Sequence, residues 1–210
     1  MTVLERIYEE KIIAIVRGIP STQIVGLARA LTEGGVSCIE VTFDQAAPKD
    51  TLASLRAIKS ELGEAVCLGA GTVMTVEQVE LAAQAGAEYM ISPNVDEAVI
   101  RATKALGKVS IPGAMTPTET AFAYQCGADI VKLFPAGLLG PAYIKAVKAP
   151  LKHIPVSAVG NITVENCADF IHAGAVSVGV GGNLVSALLV NEGHFDKITA
   201  TARAYRERLK

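Results

Sequence analysis

A repeated alternation of short apolar runs and longer amphipathic segments is what most constrains the fold of this chain. The apolar runs recur at intervals of about 20 to 29 residues along the 210-residue sequence, and segments with helical periodicity separate them. Strands that are apolar on both faces are typical of parallel sheets covered by helices. Eight such units joined by short loops predict a (β/α)₈ barrel, the TIM-barrel fold. An open doubly wound sheet is the alternative, but it usually has fewer units and a G-x-G-x-x-G motif after its first strand, which is missing here.

The predicted elements fill the chain without a linker, which indicates one domain over residues 1–210. A short amphipathic helix over residues 2–11 precedes the barrel. The predicted strands are residues 12–16, 38–43, 67–73, 89–93, 108–112, 130–136, 155–159 and 177–180. The predicted helices between and after them are residues 21–34, 49–62, 75–85, 95–106, one starting at 116, 141–148, 163–173 and 195–209.

Composition and charge argue against several classes of function. A net charge of −2, with no basic run, gives no reason to expect nucleic acid as a partner. No stretch reaches the roughly eighteen apolar residues of a membrane span, and the first residues lack the basic region of a signal peptide. The cysteines are widely spaced and form no CxxC pair, so we expect reduced core thiols in a cytoplasmic protein. They are Cys38, Cys67, Cys126 and Cys167.

Lys132 is the most unusual residue in the predicted strands, because it stands alone in the apolar run of residues 130–136. Burying an unpaired ammonium group costs several kcal/mol unless it finds a partner or loses its proton. A lysine that loses its proton is a nucleophile and can form a Schiff base with a ketone. The alternative is that Lys132 lies at a sheet edge, or reaches solvent past the end of its strand.

Glu40 is the predicted partner of Lys132 in the barrel mouth, since chemistry in this fold lies at the C-terminal ends of the strands. Strand alternation places Glu40 and Thr42 on one face, and Lys132 on a face with Ile130 and Phe134. A neutral lysine and a nearby carboxylate are the minimal groups of a class I aldolase. A buried ion pair between them is the structural alternative.

The sequence gives no sign of a metal site or a cofactor. His153, His172 and His194 are the only histidines, and none has ligand spacing or lies at a predicted strand end. The stretch 69–72 is weak as a phosphate loop, because glycines also allow strands to pack closely. The turns at residues 159–161 and 181–183 follow strands seven and eight, where this fold usually binds anions through backbone N–H groups.

At these positions the chain resembles a known family, the bacterial 2-keto-3-deoxy-6-phosphogluconate aldolases. Their relatives, the 2-keto-3-deoxy-6-phosphogalactonate and 4-hydroxy-2-oxoglutarate aldolases, share the pattern. The resemblance covers nearly the whole chain. It rests on six blocks in order: Ile39-Glu40-Val41-Thr42, Gly69-Ala70-Gly71-Thr72-Val73, Ile91-Ser92-Pro93, Ile111-Pro112-Gly113, Lys132-Leu133-Phe134-Pro135 and Gly140-Pro141.

The resemblance implies a homotrimeric barrel that cleaves a keto acid to pyruvate and an aldehyde, usually glyceraldehyde 3-phosphate. It gives Lys132 the Schiff-base role and Glu40 the acid/base role. It also implies a set of substrate-binding residues around them. These are Arg17 at the anionic end of the substrate, Thr72 on the pyruvate carboxylate, Pro93 and Phe134 around the imine, and Val159, Gly160, Asn161, Gly181 and Gly182 in the turns that take the phosphate.

The sequence departs from the family pattern at several of these positions. Asp44 stands where many members have an arginine that grips a carboxylate, and Val159 resembles the galactonate branch. Asn161 replaces a glycine, and Gly182 replaces a serine that usually binds phosphate. Cleavage of 4-hydroxy-2-oxoglutarate or of an unphosphorylated keto acid is therefore an alternative. Alternatives of other classes are a metal-free isomerase or epimerase with Glu40 as base, and a barrel that binds a phosphate ligand without lyase activity.

Overall fold

The computed structural model describes residues 1–210 and forms one parallel sheet wrapped into a nearly closed barrel. The strands are β1 Ile12–Val16, β2 Cys38–Thr42, β3 Cys67–Gly71, β4 Tyr89–Ile91, β5 Val109–Ile111, β6 Gly113–Ala114, β7 Val131–Leu133, β8 Val156–Val159 and β9 Ser177–Val180. Their order in the sheet is β5-β4-β3-β2-β1-β9-β8-β7-β6, and every pairing is parallel. The predicted barrel is confirmed.

The ninth strand segment arises because the fifth predicted strand is interrupted at Pro112. The segment before it, β5, pairs with β4, whereas the segment after it, β6, pairs with β7. Pro112 has no N–H to donate, but its carbonyl accepts from the Lys132 N–H at 2.9 Å. The eight predicted units therefore remain. The two halves of the fifth strand pair with β4 and β7, and the barrel closes between them.

Eleven α-helices surround the strands. They are α1 Val3–Glu10, α2 Ser21–Glu33, α3 Pro48–Leu62, α4 Val76–Gln84, α5 Glu97–Ala105, α6 Pro117–Gln125, α7 Ala136–Leu139, α8 Pro141–Lys148, α9 Cys167–His172, α10 Ala187–Asn191 and α11 Phe195–Arg208. A 3₁₀ turn covers Gly63–Ala65. None of these helices combines the length and the apolar character of a membrane span.

The predicted boundaries differ from the observed ones at several strand ends and at α9, which was expected to begin at residue 163 and begins at Cys167. Residues 134–136 were expected in a strand, but that strand ends at Leu133 and α7 begins at Ala136. Helices α7 and α10 were not predicted, because four and five residues are too few to show a helical period. The predicted starts of α1 and α6 are correct, since capping boxes begin at Thr2 and Thr116.

The core has two parts, one on each side of the sheet. The larger cluster lies between the strands and the surrounding helices. The smaller cluster includes residues from five strands, and Ile7 of α1 packs into it. Helix α1 is held in place because the buried Glu10 carboxylate accepts from the N–H groups of Ser37 at 2.8 Å and Cys38 at 3.0 Å. All four cysteines are buried free thiols.

Candidate active site

A cavity of about 370 Å³ opens at the C-terminal ends of the strands, where a barrel of this type places its chemistry. Its size suits a small-molecule ligand. Ten of the eleven residues that the sequence suggested for the site line this cavity. They are Arg17, Thr72, Pro93, Lys132, Phe134, Val159, Gly160, Asn161, Gly181 and Gly182. The eleventh, Glu40, is buried within the barrel.

Lys132 lies at the centre of β7, with Gly113 of β6 on one side and Ser157 of β8 on the other. Its residue surface is only 8% exposed, so the alternative of a lysine at a sheet edge is wrong. The ammonium nitrogen Nζ lies 5.2 Å from the centroid of the Phe134 ring. Burial lowers the pKa of Lys132, the nearby Arg17 charge lowers it further, and Glu40 opposes both. The neutral, nucleophilic amine is therefore favoured here more than on a surface lysine.

Glu40 lies on β2 and is 2% exposed. Its carboxylate occupies space that only a glycine leaves free, because a Cβ on Gly71 would stand 1.7 Å from Oε1. Burial raises the pKa of Glu40, and the charges of Lys132 and Arg17 oppose that shift. These two cations and the carboxylate are thus close enough to influence one another.

A buried ion pair between Glu40 and Lys132 is not present. No carboxylate oxygen of Glu40 lies within 4.0 Å of a lysine or arginine nitrogen. Lys132 Nζ has no hydrogen-bond acceptor in the protein, and Glu40 Oε2 is buried without a partner. The two groups are therefore held near each other without neutralising each other directly.

The glycine-rich stretch of β3 makes room for side chains inside the barrel. A Cβ on Gly69 would stand 2.0 Å from the Tyr89 ring, as one on Gly71 would collide with Glu40. Of the two interpretations of residues 69–72, close packing is therefore favoured over a phosphate loop.

Thr72 is held in a strained backbone conformation at the cavity wall, with φ 55°. A positive φ is rare for a β-branched residue and costs about 1 to 3 kcal/mol, so the surrounding contacts must impose it. One such contact is the Gln45 Nε2 group, which donates to the Thr72 carbonyl at 2.9 Å. Thr42, although on the same face as Glu40, does not line this cavity, and its hydroxyl donates to the Val16 carbonyl at 3.2 Å.

The turns after β8 and β9 form the opposite wall. Gly160 has φ 102° and Asn161 has φ 52°. Asparagine is one of the few residues that tolerate this left-handed region, which explains how Asn161 can stand where a glycine is expected. At Gly182, no heavy atom lies within 4 Å of where a Cβ would be, so this wall has open space.

Three further residues that the sequence did not suggest also line the cavity: Ile15, Ile162 and Gly179. Asn183, the last residue of the predicted turn at 181–183, lines it as well. Asn183 joins the two turns, because its Nδ2 donates to the Ile162 carbonyl at 2.9 Å. Ile15 and Ile162 could not be found from sequence, since an apolar side chain facing a cavity looks the same as one in the core.

The fold and the site together define a barrel lyase of the aldolase class, since the mouth of the barrel holds a lysine with a lowered pKa near a buried carboxylate. Comparison with known proteins identifies the family within this class. The sequence matches the aldolase family described as KDPG and KHG aldolase over residues 3–201. The chain belongs to this family, and the resemblance noted above is confirmed.

Individual relatives are similar over almost their full length. The chain is 36% identical over 197 residues to the 2-dehydro-3-deoxy-6-phosphogalactonate aldolase of Escherichia coli (strain K12), covering 93% of this chain and 95% of that protein. It is 34% identical over 204 residues to the 2-dehydro-3-deoxy-phosphogluconate aldolase of Treponema pallidum (strain Nichols), covering 97% of this chain and 95% of that protein. A solved structure described as native KDPGal aligns with a TM-score of 0.86 at 34% identity, covering 94% of this chain and 93% of the other.

Proposed function

We propose that this aldolase works through a Schiff base on Lys132 and cleaves a 2-keto-3-deoxy-6-phospho sugar acid to pyruvate and glyceraldehyde 3-phosphate. The observation that supports the proposal is the environment of Lys132. Its side chain is buried near Glu40, forms no ion pair, and lines a cavity large enough for a small ligand. Relatives named for cleavage of phosphogalactonate and phosphogluconate derivatives support the substrate class.

The reaction needs both groups in turn. The neutral Lys132 amine attacks the C2 ketone to give a carbinolamine. The carbinolamine hydroxyl takes a proton from the Glu40 carboxyl group and leaves as water, which gives an iminium ion and an ionised Glu40. The iminium withdraws electrons as the C3–C4 bond breaks, while Glu40 accepts the proton of the C4 hydroxyl and the aldehyde leaves. Glu40 then returns a proton to C3 of the enamine, and hydrolysis releases pyruvate and the free amine. No external oxidant, metal or cofactor is needed for this sequence.

The substrate-binding roles follow from position along the cavity wall. Thr72 is proposed to hold the pyruvate carboxylate, with Pro93 and Phe134 enclosing the imine carbon. Arg17 supplies positive charge for the anionic substrate. The backbone of the turns at residues 159–161 and 181–182 is proposed to take the phosphate.

Relative rates test the substrate. Steady-state kinetics with the phosphorylated gluconate-type and galactonate-type keto acids, with an unphosphorylated analogue and with 4-hydroxy-2-oxoglutarate should give the highest kcat/KM for a phosphorylated acid. Equal kcat/KM with and without phosphate would instead support the alternative, an aldolase for smaller or unphosphorylated keto acids.

The substitution Gly182→Ser should strengthen phosphate binding. A Cβ at this position would meet no atom within 4 Å, and serine supplies a hydroxyl donor at the proposed phosphate site. A hydrogen bond to a charged group is worth about 1.5 to 3 kcal/mol, so KM for the phosphorylated substrate should fall by about tenfold or more. The unphosphorylated analogue is the matched control, and its KM should stay the same. An equal change with both substrates would place the phosphate elsewhere.

We further propose that the protein is a cytoplasmic homotrimer. Four free thiols buried in the core fit a reducing compartment. Apolar side chains are exposed around α6, namely Met115 and Phe122, and Tyr124 on the same helix is also partly exposed. Exposed apolar surface of this kind is typical of association between copies of a chain.

Light scattering during size-exclusion chromatography should give three times the chain mass of 21.9 kDa. Phe122 is 45% exposed, and Phe122→Glu should reduce that mass, because a charge would be buried at the interface. Leu188→Glu is the control, since Leu188 is also exposed but lies on α10, which packs near α2 and α11. A wild-type mass of one chain at tens of micromolar protein would contradict the trimer.

A further inference from the structure

One polar group inside the barrel takes no part in the reaction above, namely the hydroxyl of Tyr89. Tyr89 lies on β4 in the interior cluster and has no exposed surface. Its Oη has no hydrogen-bond partner within the protein. Buried hydroxyl groups are nearly always hydrogen-bonded to protein or to ordered water, so this group needs a partner.

The register of three strands brings the Tyr89 ring toward Glu40. Glu40, Gly69 and Tyr89 are partners across β2, β3 and β4. Because Gly69 has no side chain, the ring lies over β3, with Cζ 2.3 Å from where a Gly69 Cβ would stand. The Glu40 side chain reaches over the same strand from its other neighbour, β2, and its carboxyl group lies over Gly71. The phenol and the carboxyl group therefore lie over one strand, above glycines two residues apart.

Glu40 has the matching unpartnered atom. Its Oε2 and the Tyr89 Oη are both fully buried polar atoms of the barrel interior without a hydrogen bond in the protein. The glycines that the two side chains cover are two residues apart, which is about 6.6 Å along a strand. This places the two polar groups on the scale of a water bridge, in which two hydrogen bonds to one water join oxygens about 4.5 to 5.5 Å apart. A single buried water is the usual way in which proteins satisfy two such groups.

We propose that Tyr89 is a positioning residue for Glu40, and that its hydroxyl donates through one bridging water molecule to Glu40 Oε2. This inference rests on the acid/base role proposed for Glu40. The bridge holds one carboxylate oxygen from below, which leaves Oε1 as the oxygen that exchanges protons with the substrate. A donor to the ionised carboxylate also favours that form, against the effect of burial.

The charged and titratable groups around the bridge are consistent with this role. Lys132 and Arg17 act on Glu40 from the cavity side, and both lower its pKa. Cys38 and Cys67 lie at the other end, next to Tyr89, among apolar side chains, and the charge of Glu10 at the end of α1 also acts on the Tyr89 hydroxyl. Burial raises the pKa of Tyr89, so its hydroxyl keeps its proton and remains a donor.

The substitution Tyr89→Phe removes the hydroxyl and nothing else. We expect kcat to fall by about five- to thirty-fold with KM for the keto acid unchanged, because Tyr89 does not line the cavity. The acid limb of the kcat–pH profile should move up by about one unit, as Glu40 loses a donor to its ionised form. Thr103→Val is the matched control, since it removes a buried hydroxyl that bonds only to Val99 within α5. It should leave both the rate and the profile unchanged.

A crystal structure of the wild-type protein provides a second measurement that does not depend on the variant folding. It should show an ordered water about 3 Å from both Tyr89 Oη and Glu40 Oε2. The absence of that water, or a Tyr89→Phe enzyme with wild-type kcat and acid limb, would overturn the inference. If the wild-type protein cleaved no keto acid, the proposed function itself would fail, and that result is distinct from an active wild type with an unaffected variant.

Discussion

Replacing Lys132 by methionine should reduce kcat for keto acid cleavage by at least about 10⁴-fold, because no other group in the cavity can form the iminium. Methionine keeps the length and apolar character of the lysine stem, so a residue that is only 8% exposed should still pack within β7. The removed charge is one that burial already disfavours, and stability should be retained or increased. Steady-state kinetics and thermal unfolding of the purified variant measure both effects.

Lys145→Met is the matched control, because Lys145 is an exposed lysine on α8. Its kcat should equal that of the wild type. If Lys132→Met remained active, catalysis by Schiff base would be contradicted. The finding would favour an isomerase or epimerase in which Glu40 alone moves protons.

Replacing Glu40 by glutamine should lower kcat by about 10² to 10⁴-fold, which is the usual contribution of a positioned acid/base group. The amide fits the same space above Gly71 but cannot accept or return a proton. Lys132 remains in place, so the variant should still form the iminium with pyruvate, only more slowly. Exchange of the pyruvate methyl protons with deuterated water, followed by NMR, isolates the proton-transfer step and should fall in parallel with kcat.

The pH dependence of the wild-type rate should show the direction in which the pKa of Glu40 is shifted. Burial raises the pKa of Glu40, and the carboxylate must be ionised to accept a proton. Activity should therefore decline, as pH falls, at a higher pH than for an ordinary glutamate, and Glu40→Gln should lack that limb. Glu207→Gln on α11 is the control for a surface carboxylate and should reproduce the wild-type profile. A Glu40→Gln variant with the full wild-type rate would remove Glu40 from the mechanism.

Much of the fold could be predicted because the relevant information is local. Apolar runs and capping residues such as Thr116 lie next to one another in sequence, and they identified the eight units and most helix starts. The interruption at Pro112 depends on which strands meet when the barrel closes, and that is a non-local property. Helices α7 and α10 are too short to show a period.

The site was predictable to the extent that its residues were out of place in their local context or matched a family motif. A lysine in an apolar strand is conspicuous, and so is a glutamate in the second of the apolar strands. Tyr89 was not, because an aromatic residue in a strand looks like ordinary core until its neighbours are known. The same is true of Gly69 and Gly71, whose purpose depends on the side chains of adjacent strands.

Reductive trapping with pyruvate shows whether Lys132 forms the Schiff base. The wild-type protein is incubated with pyruvate and sodium borohydride, and intact mass spectrometry is followed by peptide mapping. We expect one stable adduct per chain, with the mass of a reduced pyruvate imine, located on Lys132 and absent from Lys132→Met. An adduct on another lysine, or no adduct at all in an enzyme that still cleaves its keto acid, would contradict it.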